Sequence, residues 1–202
     1  MTEVSINKQV KLSEHFTLGE LCKTGVKTAD GNIPSHVHIE NLKRVCEWLE
    51  ELRRRYNQQY VCENEERSVS PPELGGARGG LNEGMSGASS DHPAHTGTPP
   101  NLGGEINTDA PIIITSGYRS PELNKKVGGS PTSNHLTGCA VDIRVYGIEQ
   151  AMRYAVILMD YADETKQDHD EIFIEKNRYG AIWLHFAVRP KENRRKTMFI
   201  QT

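Results

Sequence analysis

No stretch of this chain reaches the roughly 18 apolar residues needed to cross a bilayer as a helix. Its opening, MTEVSINKQVKLSEHF, lacks the apolar centre of a signal peptide. Synthesis in the cytoplasm is therefore expected, with any export helped from outside. A basic excess is missing too: 24 Lys and Arg face 27 Asp and Glu, for a net charge of −3. Nothing in that balance marks a surface built to neutralise phosphates, so no nucleic-acid partner is expected. Cysteine is sparse. Cys22, Cys46, Cys62 and Cys139 form no CxxC pair, which removes the usual cysteine-type structural metal site. Without an export signal they read as four reduced thiols. Apolar residues make up only 36% of the chain and mean hydropathy is −0.61, so some stretch is expected to lie outside the core.

Residues 63–105 are that stretch. They hold nine of the 18 glycines and five of the 10 prolines, with few large apolar side chains. Such a segment buries too little surface to offset its ordering entropy, and it reads as a disordered insertion. It includes His92 and His95 in an H-x-x-H spacing, with no arranged partners for a metal. Residues 1–34 read as an irregular arm, in which Leu12, Phe16, Leu18 and Leu21 can dock on a core. The remainder, 35–62 and 106–202, reads as one domain. Residues 36–58 repeat apolar side chains at three- and four-residue steps (Leu42, Val45, Cys46, Leu49, Leu52, Tyr56), which predicts an amphipathic helix started by Pro34-Ser35. PIIITS, from residue 111, predicts a strand. Ser120-Pro121 opens a short helix that ends at Gly128-Gly129. AVDIRV alternates as a strand, IEQAMRYAVILMDYA is apolar all round and reads as a buried helix, and EIFIE and AIWLHFAV form two strands around a turn at 177–180. The order predicts an α+β domain, helices packed on a mainly antiparallel sheet.

Strand alternation locates the chemistry. Val141, Ile143 and Val145 share one face of their strand, leaving Asp142 on the other. Ile182, Leu184, Phe186 and Val188 oppose Trp183 and His185. Ile172 and Ile174 oppose Glu171, Phe173 and Glu175. If these strands are neighbours, Asp142, Glu175 and His185 point into one groove. His135 lies seven residues before Asp142, with Gly138 between them to permit a reversal. Two imidazoles and one carboxylate are a common catalytic zinc set with a fourth position for water, whose pKa the metal lowers towards about 7. Glu175 would then be the general base. Spacing alone leaves a plainer reading open: an exposed loop histidine beside a strand-end aspartate, and a hydrogen-bonded, half-buried His185.

Ser133-Asn134-His135-Leu136-Thr137-Gly138-Cys139-Ala140-Val141-Asp142 matches S-x-H-x-x-G-x-A-x-D at every specified position. In this the chain resembles the zinc D-Ala-D-Ala carboxypeptidase family, whose core is shared by VanX-type dipeptidases, phage L-Ala-D-Glu endolysins and the hedgehog signalling domain. Glu175 followed by Trp183-Leu184-His185, the segment Ser116 to Ser120, and the arm LSEHFTLGEL extend the likeness over residues 10–60 and 110–190. The resemblance implies one zinc per chain, held by His135, Asp142 and His185, with Glu175 as base. Arg119 would pair with a substrate carboxylate or steady the scissile carbonyl. Ser133 would bond substrate or orient His135, and Trp183 would wall the groove.

One departure stands out. Many members place the glutamate three residues before the histidine, and here the gap is ten. Glu171, on the same strand face, is the reserve base, and Asp170 is a weaker one. The implied protein is a monomeric peptidoglycan peptidase cutting a stem peptide beside a D-amino acid, released to the cell wall in the manner of a phage lysin. A non-catalytic zinc-containing wall-binding or phage-particle module is the competing reading.

Overall fold

The computed structural model describes residue 7, residues 9–61 and residues 109–201. The predicted insertion at 63–105, with His92 and His95, lies outside the described residues, as does Cys62. Helix α1 (Leu18–Leu21) is short, and α2 (His36–Tyr56) is the longest; α2 runs into a π-helical turn at Asn57–Val61. There follow β1 (Ile114–Ser116), α3 (Pro121–Lys126), a 3-10 turn (Asn134–Thr137), β2 (Ala140–Arg144), α4 (Ile148–Thr165), β3 (Glu171–Lys176), β4 (Ile182–Ala187) and β5 (Lys196–Gln201). Among the described residues no helix is long and apolar enough to cross a membrane.

Ser35 starts α2. Its hydroxyl accepts from the His38 amide, and His38 Nδ1 accepts in return from the Ser35 amide, a capping box with histidine in the place usually taken by glutamate. The stripe Leu42, Val45, Cys46, Leu49 and Leu52 is buried as the periodicity predicts, and Asn41 and Trp48 are buried with it. Burial pushes the Cys46 thiol up to about 12, so it behaves as a small apolar side chain.

The sheet has the order β1-β2-β4-β3-β5. Every neighbouring pair is antiparallel except β3 and β5, which run parallel. The α+β reading is therefore borne out. Val141, Ile143, Ile172, Leu184 and Phe186 join the core beneath α2 and α4, with Trp48 tilted against Phe186 at 5.4 Å. Each such fully buried apolar side chain contributes about 1.5–3 kcal/mol. The opposite face of the same strands is free to carry polar groups.

Three readings need correction. The arm is not irregular throughout: Thr17 and Glu20 form a capping box that starts α1, and Phe16, Leu18 and Leu21 are buried in the core. Helix α4 is not buried all round, because Ile148, Met152 and Val156 form an exposed stripe. PIIITS is strand only at Ile114–Ser116. The final strand, β5, has no apolar alternation to announce it: it is an edge strand with Met198 and Phe199 exposed.

Gly117 is the point where arm and sheet meet. A Cβ there would sit 2.2 Å from the Leu21 carbonyl oxygen, which accepts the Tyr118 amide at 2.7 Å. Only glycine allows so close an approach. Gly117→Ala is expected to cost about 1–3 kcal/mol, read as a fall in the urea midpoint at unchanged slope. An unshifted midpoint would mean that the arm is not held there.

Candidate metal centre

The motif folds tightly around His135. Ser133 caps the 3-10 turn, its Oγ accepting from the His135 amide at 3.3 Å. Gly138 closes the turn at φ 71°, and a Cβ there would lie 2.6 Å from the His38 carbonyl oxygen of α2. Glycine is thus required both for the left-handed backbone and for the close approach. Asn41 of α2 donates to the Thr137 carbonyl at 2.8 Å and pins the turn from behind. The result buries His135 next to β2.

Strand register supplies the rest. Asp142 of β2 lies directly opposite His185 of β4, and His185 directly opposite Phe173 of β3. The three side chains share one sheet face, and Phe173 stacks on the His185 ring at 5.6 Å. His135 Nε2 lies 3.3 Å and His185 Nδ1 3.0 Å from Asp142 Oδ1. One donor atom from each of the three residues falls within 4.8 Å of the others. All three residues are buried.

The other atoms of these side chains are already engaged. His135 Nδ1 donates to the Gly117 carbonyl at 2.7 Å, which leaves Nε2 as the lone-pair nitrogen. Asp142 Oδ2 accepts from Arg119 at 2.5 Å, and Arg119 Nε donates to Ser116 at 2.8 Å. His185 Nε2 lies 3.4 Å from Glu171 Oε2. Burial pushes the His135 pKa down and the Asp142 charge only partly offsets it. His135 therefore turns a lone pair towards a carboxylate oxygen, two acceptors face to face, an arrangement that a shared cation relieves. Burial also opposes charge on His185, but the bonds to Asp142 and Glu171 outweigh it and push its pKa up to about 9. Asp142 is held far below the usual carboxylate range: burial would raise it, and the two histidines more than reverse that.

A groove of about 500 Å³ opens over this cluster. Arg119, Glu175 and Trp183 line it beside the three donors, and Lys23, Thr24 and Gly25 of the arm form part of its rim. The two glutamates of β3 differ. Glu175 is half-buried in the groove, and among the described residues no hydrogen bond or ion pair holds its carboxylate. Burial raises its pKa, assisted by the charges of Asp142 and Glu171 against those of His185 and Arg119. Glu171 is outside the groove lining and is engaged by Asn134 at 2.8 Å and Arg194 at 2.5 Å as well as facing His185. Ser133 is also outside the lining.

Residues 105–167 match the family model for Peptidase M15. Over these residues the chain is similar to the M15 peptidases. No curated protein matches the chain. The matched segment contains Arg119, His135 and Asp142, while His185 and both glutamates lie beyond its end and reach the cluster through strand pairing. M15 members are zinc-dependent peptidases, and the donor chemistry fits that ion. Two ligands each about 2.0–2.1 Å from a tetrahedral zinc stand roughly 3.3 Å apart, close to the spacings around Asp142 Oδ1.

Sequence reasoning offered Asp170 only as a weak candidate base and did not reach its place as a support behind the His-Asp-His cluster. Asp170 is fully buried and takes bonds from Arg194 at 2.8 and 2.6 Å and from Asn134 at 2.7 Å. Burial would raise its pKa, and these partners, with the charge of Arg189, override that and lower it. A lowered folded value means that the stabilisation is complete above the ordinary carboxylate pKa near 4 and fades as pH falls below it. Asp170→Asn is expected to cost about 2 kcal/mol at pH 7, less than a fully buried pair because Arg194 reaches solvent. The gap from the parent protein should narrow below about pH 4 in pH-resolved urea unfolding. A gap constant down to pH 2 would contradict the assignment.

Proposed function

We propose that this protein is a zinc metallopeptidase that cuts peptidoglycan stem peptides next to a D-amino acid, as a carboxypeptidase or an endopeptidase. The observation that carries the reading is a free carboxylate, Glu175, in the same groove as a buried His-Asp-His set. His135, Asp142 and His185 would hold the zinc. Bound there, zinc supplies Lewis acidity, bringing a water's pKa towards about 7 and polarising the scissile carbonyl. Glu175 takes the attacking water's proton and passes it to the leaving amine, a task favoured by its raised pKa. Arg119 keeps Asp142 oriented through one terminal nitrogen and offers the other to substrate, at the carbonyl or at a carboxylate. Trp183 forms a groove wall, and Ser133 acts on the His135 turn. The peptidoglycan assignment is supported by the S-x-H-x-x-G-x-A-x-D match, and action on the cell wall after phage-type release follows from it.

The test is incubation of the zinc-loaded protein with purified peptidoglycan and with defined muropeptides, read by mass spectrometry. Released D-alanine or a shortened stem peptide is the expected product, and its mass identifies the bond. Intact muropeptides in the presence of one zinc per chain would sink the peptidase reading and favour a zinc-containing binding module.

A further inference from the structure

Beyond Trp183 the groove continues into a second cavity of about 500 Å³, and Thr115 and Trp183 wall both. Arg144 lines this second space. It is two residues along β2 from Asp142, hence on the same sheet face, and pairs in register with Trp183. Gly147 and Gly180 form part of the wall, leaving backbone rather than side chains at the surface, and among the described residues no acidic side chain lines it. The groove over the metal cluster, by contrast, presents Asp142 and Glu175.

Among the described residues Arg144 is the one arginine without a partner. Arg53, Arg54, Arg55, Arg119, Arg153, Arg189, Arg194 and Arg195 each meet a carboxylate. Arg44 bonds Asn41, and Arg178 lies over and bonds Tyr179. With the other described arginines paired, this exposed guanidinium on the rim of the cavity is open to an anion.

We propose that Arg144 and this cavity form a subsite for a carboxylate of the peptide substrate that is remote from the bond being cut. The fork of the guanidinium suits a carboxylate held by two parallel hydrogen bonds. The substrate class rests on the peptidase reading, and stem peptides supply such a group where a γ-linked D-glutamate leaves its α-carboxyl free. The subsite would select stem peptides with that carboxyl free over those in which it is amidated.

The test uses the full zinc-loaded chain carrying Glu175→Gln, so that peptide is bound without turnover. Calorimetry compares two stem peptides identical except that the D-glutamate α-carboxyl is free in one and amidated in the other. The free form is expected to bind about tenfold tighter, and adding Arg144→Gln should bring the ratio close to one with zinc content unchanged. Arg144→Lys, which keeps the charge without the fork, should retain part of the preference. Equal binding of the two peptides, or a preference that survives Arg144→Gln, overturns the proposal. A preference removed by Arg144→Gln in a protein whose parent form cuts neither peptide leaves the subsite standing and defeats the peptidase reading instead.

Discussion

Replacing His135 with alanine is expected to strip the protein of stoichiometric zinc and to lower peptide hydrolysis by about a thousandfold or more, the scale of several kcal/mol of lost Lewis-acid stabilisation. The expectation follows from how little freedom the other donors have. Asp142 Oδ2 is committed to Arg119, and His185 Nε2 to Glu171, so each of those residues has one remaining atom for a metal. Without the His135 nitrogen, two donors remain, too few for a tight site. The substitution also leaves the buried Gly117 carbonyl without its partner, for about 1–3 kcal/mol of lost stability. Elemental analysis and circular dichroism separate the two effects. A folded His135→Ala protein that still carries one zinc per chain would show that the metal sits elsewhere.

Glu175→Gln should behave differently. Zinc content and fold should survive, because among the described residues no hydrogen bond or ion pair holds that carboxylate, while the turnover number falls by about 10²–10⁴ through loss of the proton carrier. Glu171→Gln is the informative control. Its carboxylate faces the far nitrogen of His185 and is fixed by Asn134 and Arg194, which suits it to hold the imidazole in place rather than to move protons. Loss there should appear chiefly as zinc affinity, weakened by about 10–100-fold. Metal titration and single-turnover kinetics on the two variants tell these patterns apart. If Glu171→Gln abolished turnover with zinc retained and Glu175→Gln did not, the roles would be exchanged.

Much of this was legible in the chain itself. Alternation separated Asp142, His185, Glu171 and Glu175 from the core faces of three strands, and the structure places them on one sheet surface as that pattern requires. Alternation carries no register, however. That Asp142 stands opposite His185, with Phe173 beyond it, depends on hydrogen bonds between segments more than 40 residues apart in the case of β2 and β4. For the same reason alternation alone does not tell Glu171 from Glu175, four residues apart on one face, and only the resemblance put Glu175 first. Asn134 and Arg194 lie in unspecified positions, and nothing in their local pattern shows that they converge on β3. KTMFIQ failed to read as a strand because an exposed edge needs no apolar face. The apolar girth of α4 overstated its burial, since Ile148, Met152 and Val156 are exposed.

Gly117 serves two masters. Its missing side chain admits the Leu21 carbonyl of the arm, and its own carbonyl fixes the tautomer of His135. With a metal held by His135 as proposed, arm docking and metal affinity would be linked reciprocally: an ion that favours the bound geometry of His135 would tighten the grip on the first helix by the same free energy with which a docked arm strengthens the ion's hold. The expected sign of that coupling is a rise in the arm's resistance to proteolysis with zinc occupancy.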